Sequence, residues 1–459
     1  MKKIFERIDF MKTKKAISLL LSLVMLLGIT VFSVDVSAAT TDSTITNSNT
    51  HELAPTSSLQ VHQNYLEKVM ATANISGVAY VTHNGRVVCQ HANGSQNTKE
   101  NKPMTMDTLF PLGSVSKQFC ATAVLMLQDQ GKLSVDDKLS KYFPEYTIGK
   151  DVTIHQMLSM RSGIRDHVNQ DYTYKGQETP LNHYTVSDNA TYKQNQKKIT
   201  DWLFSQKLKF TPDTSFSYSN ANYLLLSMIV EQVSGQKYSD FIKENIFKPL
   251  NMTNSGFYEE LVESPNLAEP CIPDGNKPFD PYHKGVCHGA GDLVSNAADM
   301  DKWLNALSDN ALLSDKSYNQ MTTSYTEGEG YGYGIIIDET QGSLSHQGNI
   351  ITYESYVLTI PQKNINIFVI TNDIETVNKK NYTMALFAKA ISKKVNSNPM
   401  IGDINNDGDI SIVDATAIQL HLARIKTLTN DQIKRADTNG DSKTTILDAT
   451  QIQFFLAKK

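Results

Sequence analysis

The sequence predicts a large α+β domain built on an antiparallel sheet, followed by a small all-α module, and three observations carry that reading. Strand-like segments stand at both ends of residues 61–396 with amphipathic helical segments between them. After residue 399 the composition changes and a repeat with an offset of 34 residues begins, whereas the first 60 residues show neither pattern. Strands, then helices, then strands is the order of a sheet whose two halves come from opposite ends of a domain. A chain of 459 residues also exceeds what one hydrophobic core of roughly 250 to 300 residues encloses.

The elements follow in chain order. Lys2, Lys3, Arg7, Lys12, Lys14 and Lys15 precede an apolar run over 16–32 and then Val36-Ser37-Ala38-Ala39, the layout of a secretory signal cleaved after Ala38 or Ala39. Met11 offers a second start directly before the apolar run, and an uncleaved anchor is the alternative reading. We take 1–38 as signal and 39–60, rich in Thr, Ser and Asn, as a flexible linker. Residues 78–89 alternate around Asn84-Gly85, a tight hairpin turn, so a sheet is expected to open the large domain, 61–396. Helices are expected over 116–130, 222–233 and 298–307, the first two stopped by Gly131 and Gly235, with strands over 334–338, 353–360 and 365–371 and a last helix over 381–394.

Composition narrows the partners. The net charge of −5 and the intermixed signs of the charged residues argue against nucleic acid. No segment after the signal is apolar enough to span a bilayer, so no membrane association is expected once it is cleaved. Cys89, Cys120, Cys271 and Cys287 are too few and too scattered for a disulfide scaffold, and a bridge between Cys271 and Cys287 is left open.

Gly113-Ser114-Val115-Ser116-Lys117 leads straight into the amphipathic run 119–127, which places Ser114 in the first turn of a helix and Lys117 three residues on, on the same face. A serine hydroxyl needs a neighbouring base to become a nucleophile. Alone, the pair is equally a helix cap beside a solvated lysine. Tyr218-Ser219-Asn220 before the next helix and His346-Gln347-Gly348 between late strands complete a set. With these three motifs in order, residues 61–394 resemble the serine penicillin-recognising hydrolases, in the branch of class C β-lactamases, D-alanyl-D-alanine carboxypeptidases and esterases of the same β-lactamase/transpeptidase-like fold. Stretches 157–163, 233–236, 246–252, 289–295 and 331–334 carry the same likeness.

That resemblance implies Ser114 as acyl-accepting nucleophile, Lys117 as its base, Tyr218 as proton relay and Asn220 as a hydrogen-bond partner of the acyl side chain. It implies the backbone N–H groups of Ser114 and Asn349 as oxyanion donors, with Gly348 beside them. His346 stands where most β-lactamases have lysine; a histidine there is partly charged at neutral pH and holds a substrate carboxylate less strongly, or relays a proton. His155, His283 and His288 are read as structural or surface residues.

Residues 402–459, after a short linker at 397–401, contain two loops of calcium-binding spacing. The first offers Asp403, Asn405, Asp407, Asp409 and, at position twelve, Asp414; the second offers Asp437, Asn439, Asp441, the carbonyl of Lys443 and Asp448. Ser442 replaces the turn glycine of the first loop, which is expected to weaken the second site. The pair resembles the type I dockerins of cellulosomal enzymes, which implies two calcium ions and a scaffold-borne cohesin as partner, met through Ile412, Val413, Ile446 and Leu447. No cofactor is expected for catalysis. The combined expectation is a secreted, cellulosome-associated serine hydrolase acting on a small acyl ester, an acylated polysaccharide or a D-alanyl peptide, with weak β-lactam hydrolysis alongside. The rival is a penicillin-binding or sensor protein acylated without turnover.

Overall fold

The computed structural model describes residues 54–97, 100–168, 189–271, 284–379, 383–397, 401–407 and 410–457. The expected signal, most of the linker, His283 and Asp409 lie outside them. Among the described residues no helix is long and apolar enough to cross a membrane.

The first element is a helix, α1 (Ala54–Ala73), where linker and then sheet were expected. Leu66, Met70 and Ala73 recur at helical spacing and are fully buried, and this apolar stripe overrides the polar composition around residues 54–58. Two strands follow, β1 (Gly77–His83) and β2 (Arg86–Asn93), joined through Asn84 at φ 52° and Gly85 at φ 72°. Both central residues of the turn are left-handed, as the Asn-Gly pair predicts. The helical middle contributes α2 (Ser116–Asp129), α3 (Tyr192–Ser205), α4 (Asn220–Ser234) and α5 (Ala297–Ser308). Four strands return, β3 (Ile336–Asp338), β4 (Ser343–Ile350), β5 (Tyr353–Ile360) and β6 (Ile365–Thr371), and α6 (Met384–Ser397) closes the domain.

The sheet runs β2-β1-β6-β5-β4-β3 with antiparallel pairings. Its two sequence ends meet at the β1–β6 ladder, where Gly77 faces Thr371 and His83 faces Ile365. Every residue of β5 and β6 is buried, because helices cover both faces. Ile365, Ile367 and Val369 pack with α1 and α6, while Phe368 and Ile370 pack into the core of α2, α4 and α5. Period-two alternation thus serves two cores at once, the pattern of a sheet buried on both sides. The second of those cores meets the sheet at the end of β4, where the site lies.

The C-terminal module holds α7 (Ile412–Leu422), α8 (Asn430–Ala436) and α9 (Ile446–Ala457), with α7 packed on α9. Ile418 and Ile452, one from each copy of the repeat, are fully buried. All four cysteines are free thiols.

Candidate active site

Ser114 lies in a 3-10 turn, Gly113–Val115, that leads into α2 rather than in the α-helix itself. Gly113 makes the turn at φ +56°, and a Cβ there would stand 3.0 Å from the amide nitrogen of Asn349. A Cβ on Gly348 would stand 1.9 Å from the carbonyl oxygen of Leu112. Both glycines are therefore required by one feature, the close approach of the serine turn to β4. His346, Gly348 and Asn349 lie within β4, not between strands, opposite Val357, Ser355 and Glu354 of β5.

Lys117 is 0% exposed. Its Nζ donates to Asn220 Oδ1 at 2.7 Å and to the carbonyl of Ala290 at 2.7 Å, and lies 3.0 Å from Ser114 Oγ. A neutral amine has two N–H bonds and one lone pair. Two carbonyl-type oxygens use the N–H bonds, which leaves the lone pair directed at the serine hydroxyl. Burial lowers the Lys117 pKa to about 7, against the opposing pull of the Asp166 carboxylate. The Nζ also sits 4.8 Å from the centre of the Tyr218 ring.

Ser219 caps α4 from an extended backbone, with Tyr218 before it and Asn220 as the first helical residue. The Tyr218 hydroxyl is buried, faces Ser114 and has no partner of good hydrogen-bond geometry, and burial holds its pKa above the usual tyrosine value. It stays protonated, so it can pass a proton but cannot begin as a phenolate base.

Asn220, expected to hydrogen-bond the acyl side chain, has its Oδ1 accepting from Lys117 and its Nδ2 donating to Asp166 at 3.0 and 3.3 Å, which uses one lone pair and one N–H of the amide. It bridges the Lys117 amine and the Asp166 carboxylate. One expectation changes. His346 was expected to be partly charged at neutral pH, but it is 3% exposed, its Nδ1 lies 2.6 Å from the carbonyl of Gln347 and its Nε2 3.1 Å from Tyr331 Oη. Burial, then the nearby Lys117, pushes its pKa down to about 3. The imidazole is neutral.

Asp166, the Ala290 carbonyl and the Tyr331 hydroxyl belong to this site and were not singled out. Their signal was only proximity: Asp166 follows stretch 157–163, and Ala290 and Tyr331 lie inside stretches 289–295 and 331–334. His155 and His288 are structural as expected, His155 Nδ1 lying 2.6 Å from Tyr333 Oη and His288 pairing with Asp292 at 2.8 Å in the interior.

Residues 62–389 match the Beta-lactamase family model and residues 401–456 the Dockerin type I domain. The chain belongs to the β-lactamase and penicillin-binding protein-like family, and its C-terminus is a type I dockerin. It is 33% identical over 290 residues to PbpX of Bacillus subtilis, whose name places it among penicillin-binding proteins, a match covering 62% of this chain and 66% of that protein. It is 24% identical over 322 residues to the protein flp of Staphylococcus aureus, covering 67% of this chain and 61% of flp. The chain thus spans just under two thirds of both relatives. An octameric penicillin-binding protein homologue from Pyrococcus abyssi superposes with a TM-score of 0.61 at 26% identity, over 75% of this chain and 78% of that one. D-amino acid amidase from Ochrobactrum anthropi shares the fold, with a TM-score of 0.57 at 22% identity over 75% of this chain and 99% of that one.

Dockerin type I domains bind calcium, imply a cohesin partner and are associated with extracellular cellulosomes. The loops here offer the oxygen donors such an ion needs, and Asp437 Oδ1 is buried with no hydrogen-bond partner. Among the described residues no three acidic or histidine side chains close around one point. Asn405 and Asn439 are amides, and the position-twelve carboxylates are engaged by backbone. Asp414 accepts from the amides of Ile404, Asn405 and Ser411, and Asp448 from those of Thr438, Asn439 and Thr445. Ser442 holds φ 64°, a conformation that a glycine would adopt without steric cost. Ile412, Val413, Ile446 and Leu447 are 49%, 56%, 55% and 59% exposed.

Proposed function

We propose that this protein is a secreted, cellulosome-associated acyl-serine hydrolase of ester or amide bonds, held on its scaffold by the dockerin. The observation that supports it most is the buried amine of Lys117, 3.0 Å from Ser114 Oγ with its other contacts already made.

Lys117 takes the hydroxyl proton as Ser114 attacks the acyl carbon. The amides of Ser114 and Asn349 receive the oxyanion, brought together by the contact of the serine turn with β4. The Tyr218 hydroxyl passes a proton to the leaving group and takes one back from the water that attacks the acyl carbon, while Lys117 returns its proton to Ser114 Oγ as the acyl-serine bond breaks. Asp166 and Asn220 keep Lys117 in place. In the dockerin, Asp403, Asn405, Asp407, Asp409 and Asp414 would hold one calcium ion, and Asp437, Asn439, Asp441, the Lys443 carbonyl and Asp448 the second; Ile412, Val413, Ile446 and Leu447 would meet the cohesin.

Hydrolysis of p-nitrophenyl acetate, acetylated xylan, D-alanyl-D-alanine peptides and nitrocefin tests the reading. Steady turnover of at least one substrate that disappears in Ser114→Ala supports it. A burst of one equivalent with no steady product would instead identify an acylated sensor.

A further inference from the structure

Resting on the acyl-serine reading, we infer that His288 and Asp292 are positioning residues of the general base: their buried hydrogen bond clamps the turn 287–292 and so holds the Ala290 carbonyl against Lys117. Both act through that carbonyl rather than on the reacting atoms.

The turn brings one carbonyl to one amine. The N–H groups of Ala290 and Gly291 both donate to the Cys287 carbonyl, at 2.9 and 2.8 Å, which folds the backbone back, and the Ala290 carbonyl accepts from Lys117 Nζ at 2.7 Å. Gly289 takes φ +71° here, and a Cβ on it would stand 2.7 Å from the Tyr223 carbonyl oxygen, so the turn lies directly on α4. Its flanks are tied down on their own. His167 Nε2 lies 2.7 Å from the Val286 carbonyl on one side, and on the other the Leu293 amide donates to Ser116 Oγ at 3.1 Å. Between these anchors a single side-chain bond closes the turn.

That bond joins His288 Nδ1 to Asp292 Oδ2 at 2.8 Å and brackets Ala290, two residues to either side. A carboxylate only accepts, so Nδ1 carries the proton. Both side chains are buried, and the imidazole is boxed by the rings of Tyr192, Tyr238 and Phe257 at 5.8, 5.0 and 5.8 Å. Asp292 Oδ1 is buried with no hydrogen-bond partner, so the bond to His288 is what fixes the carboxylate. Burial disfavours the imidazolium, yet Asp292, followed by Glu231 and Glu259, raises the His288 pKa above its usual value. A well-packed apolar pair would fill this space without the desolvation cost of two charges, so stability alone does not account for the pair. A fixed carbonyl beside Lys117 does.

The test compares two replacements in the full-length protein, with p-nitrophenyl acetate as substrate and Ser114→Ala as background. Asp292→Asn keeps an oxygen for His288, and Asp292→Leu keeps only the volume. Both lose the carboxylate, while Asp166 toward Lys117 and Glu231 and Glu259 toward His288 stay in place, so the difference between them reports the clamp and not the charge. Asp292→Leu is expected to show a kcat about tenfold below that of Asp292→Asn, with KM within about twofold. Its acid limb should also lie at lower pH, because an ammonium deprived of the Ala290 carbonyl loses an acceptor that favours the charged form. His288→Phe combined with Asp292→Leu strands no polar partner, so it should match Asp292→Leu in kcat while regaining melting temperature, which separates lost positioning from lost folding. Equal kcat and coincident limbs in Asp292→Asn and Asp292→Leu, or parental kcat in the double variant, would overturn the inference and leave the acyl-serine reading intact. Absence of Ser114-dependent hydrolysis in the parent would overturn both.

Discussion

The large domain keeps an amine at 0% exposure, while the dockerin leaves two aliphatic pairs about half exposed. Each arrangement is costly alone, a charge out of water in one case and hydrocarbon in water in the other. In the large domain the cost shifts the Lys117 pKa to about 7 and so creates a base near neutral pH. In the dockerin it leaves apolar surface at the pairs proposed above to meet a cohesin. The inverted residue is thus the informative one in both halves, but it acts inward in the first and outward in the second.

The strongest way to break the comparison is to remove what the buried amine acts on. Ser114→Ala, and nearly as severely Lys117→Ala, should lower kcat/KM by about a thousandfold or more. Ser114→Ala should leave the melting temperature close to that of the parent, since the hydroxyl is not core. Retained hydrolysis in Ser114→Ala, followed with p-nitrophenyl acetate, would mean another nucleophile.

On the outward-acting side, Ile412-Val413 and Ile446-Leu447 open α7 and α9 at equivalent positions of the repeat. Charging both pairs to Asp should eliminate cohesin binding in surface plasmon resonance, whereas Ile412→Asp with Val413→Asp alone should weaken it little, because the second copy still offers its pair. Loss from the first pair alone would mean one asymmetric binding mode. Both variants must still bind calcium. Chelation should release the protein from a cohesin without stopping hydrolysis, because metal binding is part of the folding free energy of so small a module.

A smaller effect sharpens the inward side. If neutral Lys117 is the base, kcat/KM should fall about tenfold per pH unit below its pKa of about 7 and level off above it. Asp166→Asn should move that limb to lower pH, since the Asp166 carboxylate favours the ammonium form, and Asp292 acts on the amine in the same direction. The plateau should drop by about tenfold as Asn220 loses its fixed orientation. A purely structural Asp166 would lower the plateau without moving the limb, and a limb shifted upward would contradict the assignment.

These two sides were not equally legible in the sequence. Ser114-x-x-Lys117 and the dockerin loops are local, so spacing alone reveals them, and strands 353–360 and 365–371 coincide with β5 and β6 because β-branched runs bounded by turns have few alternatives. What escaped depends on packing between distant segments. Asp166 reaches Asn220 across 54 positions and the Ala290 carbonyl reaches Lys117 across 173, and no local pattern encodes either contact. The state of His346 was misjudged for the same reason: its neutrality follows from burial against Tyr331 and from Lys117, neither of which its own strand announces. Helix α1 was missed because its first turns carry Thr56, Ser57 and Ser58 and read as linker, and the stripe that Leu66 and Met70 anchor was not picked out.

The smallest expected effect lies at position six of the second dockerin loop. At position six the first loop has Gly408 in sequence and the second has Ser442, whose φ is 64°. An L-residue in that conformation costs roughly 1–2 kcal/mol, part of which glycine returns through its greater freedom in the unfolded chain. The Ser442 amide donates to Asp437 Oδ2 at 2.9 Å, a contact glycine retains, so the substitution removes strain without removing a hydrogen bond. Ser442→Gly should therefore tighten the weaker of two calcium sites by about fivefold, or about 1 kcal/mol. Isothermal titration of the full-length protein with calcium would read it as convergence of two unequal affinities. An unchanged weak site would mean that ligand geometry, rather than the backbone at Ser442, sets the difference, and a weakened one would mean that the serine hydroxyl contributes to holding the ion.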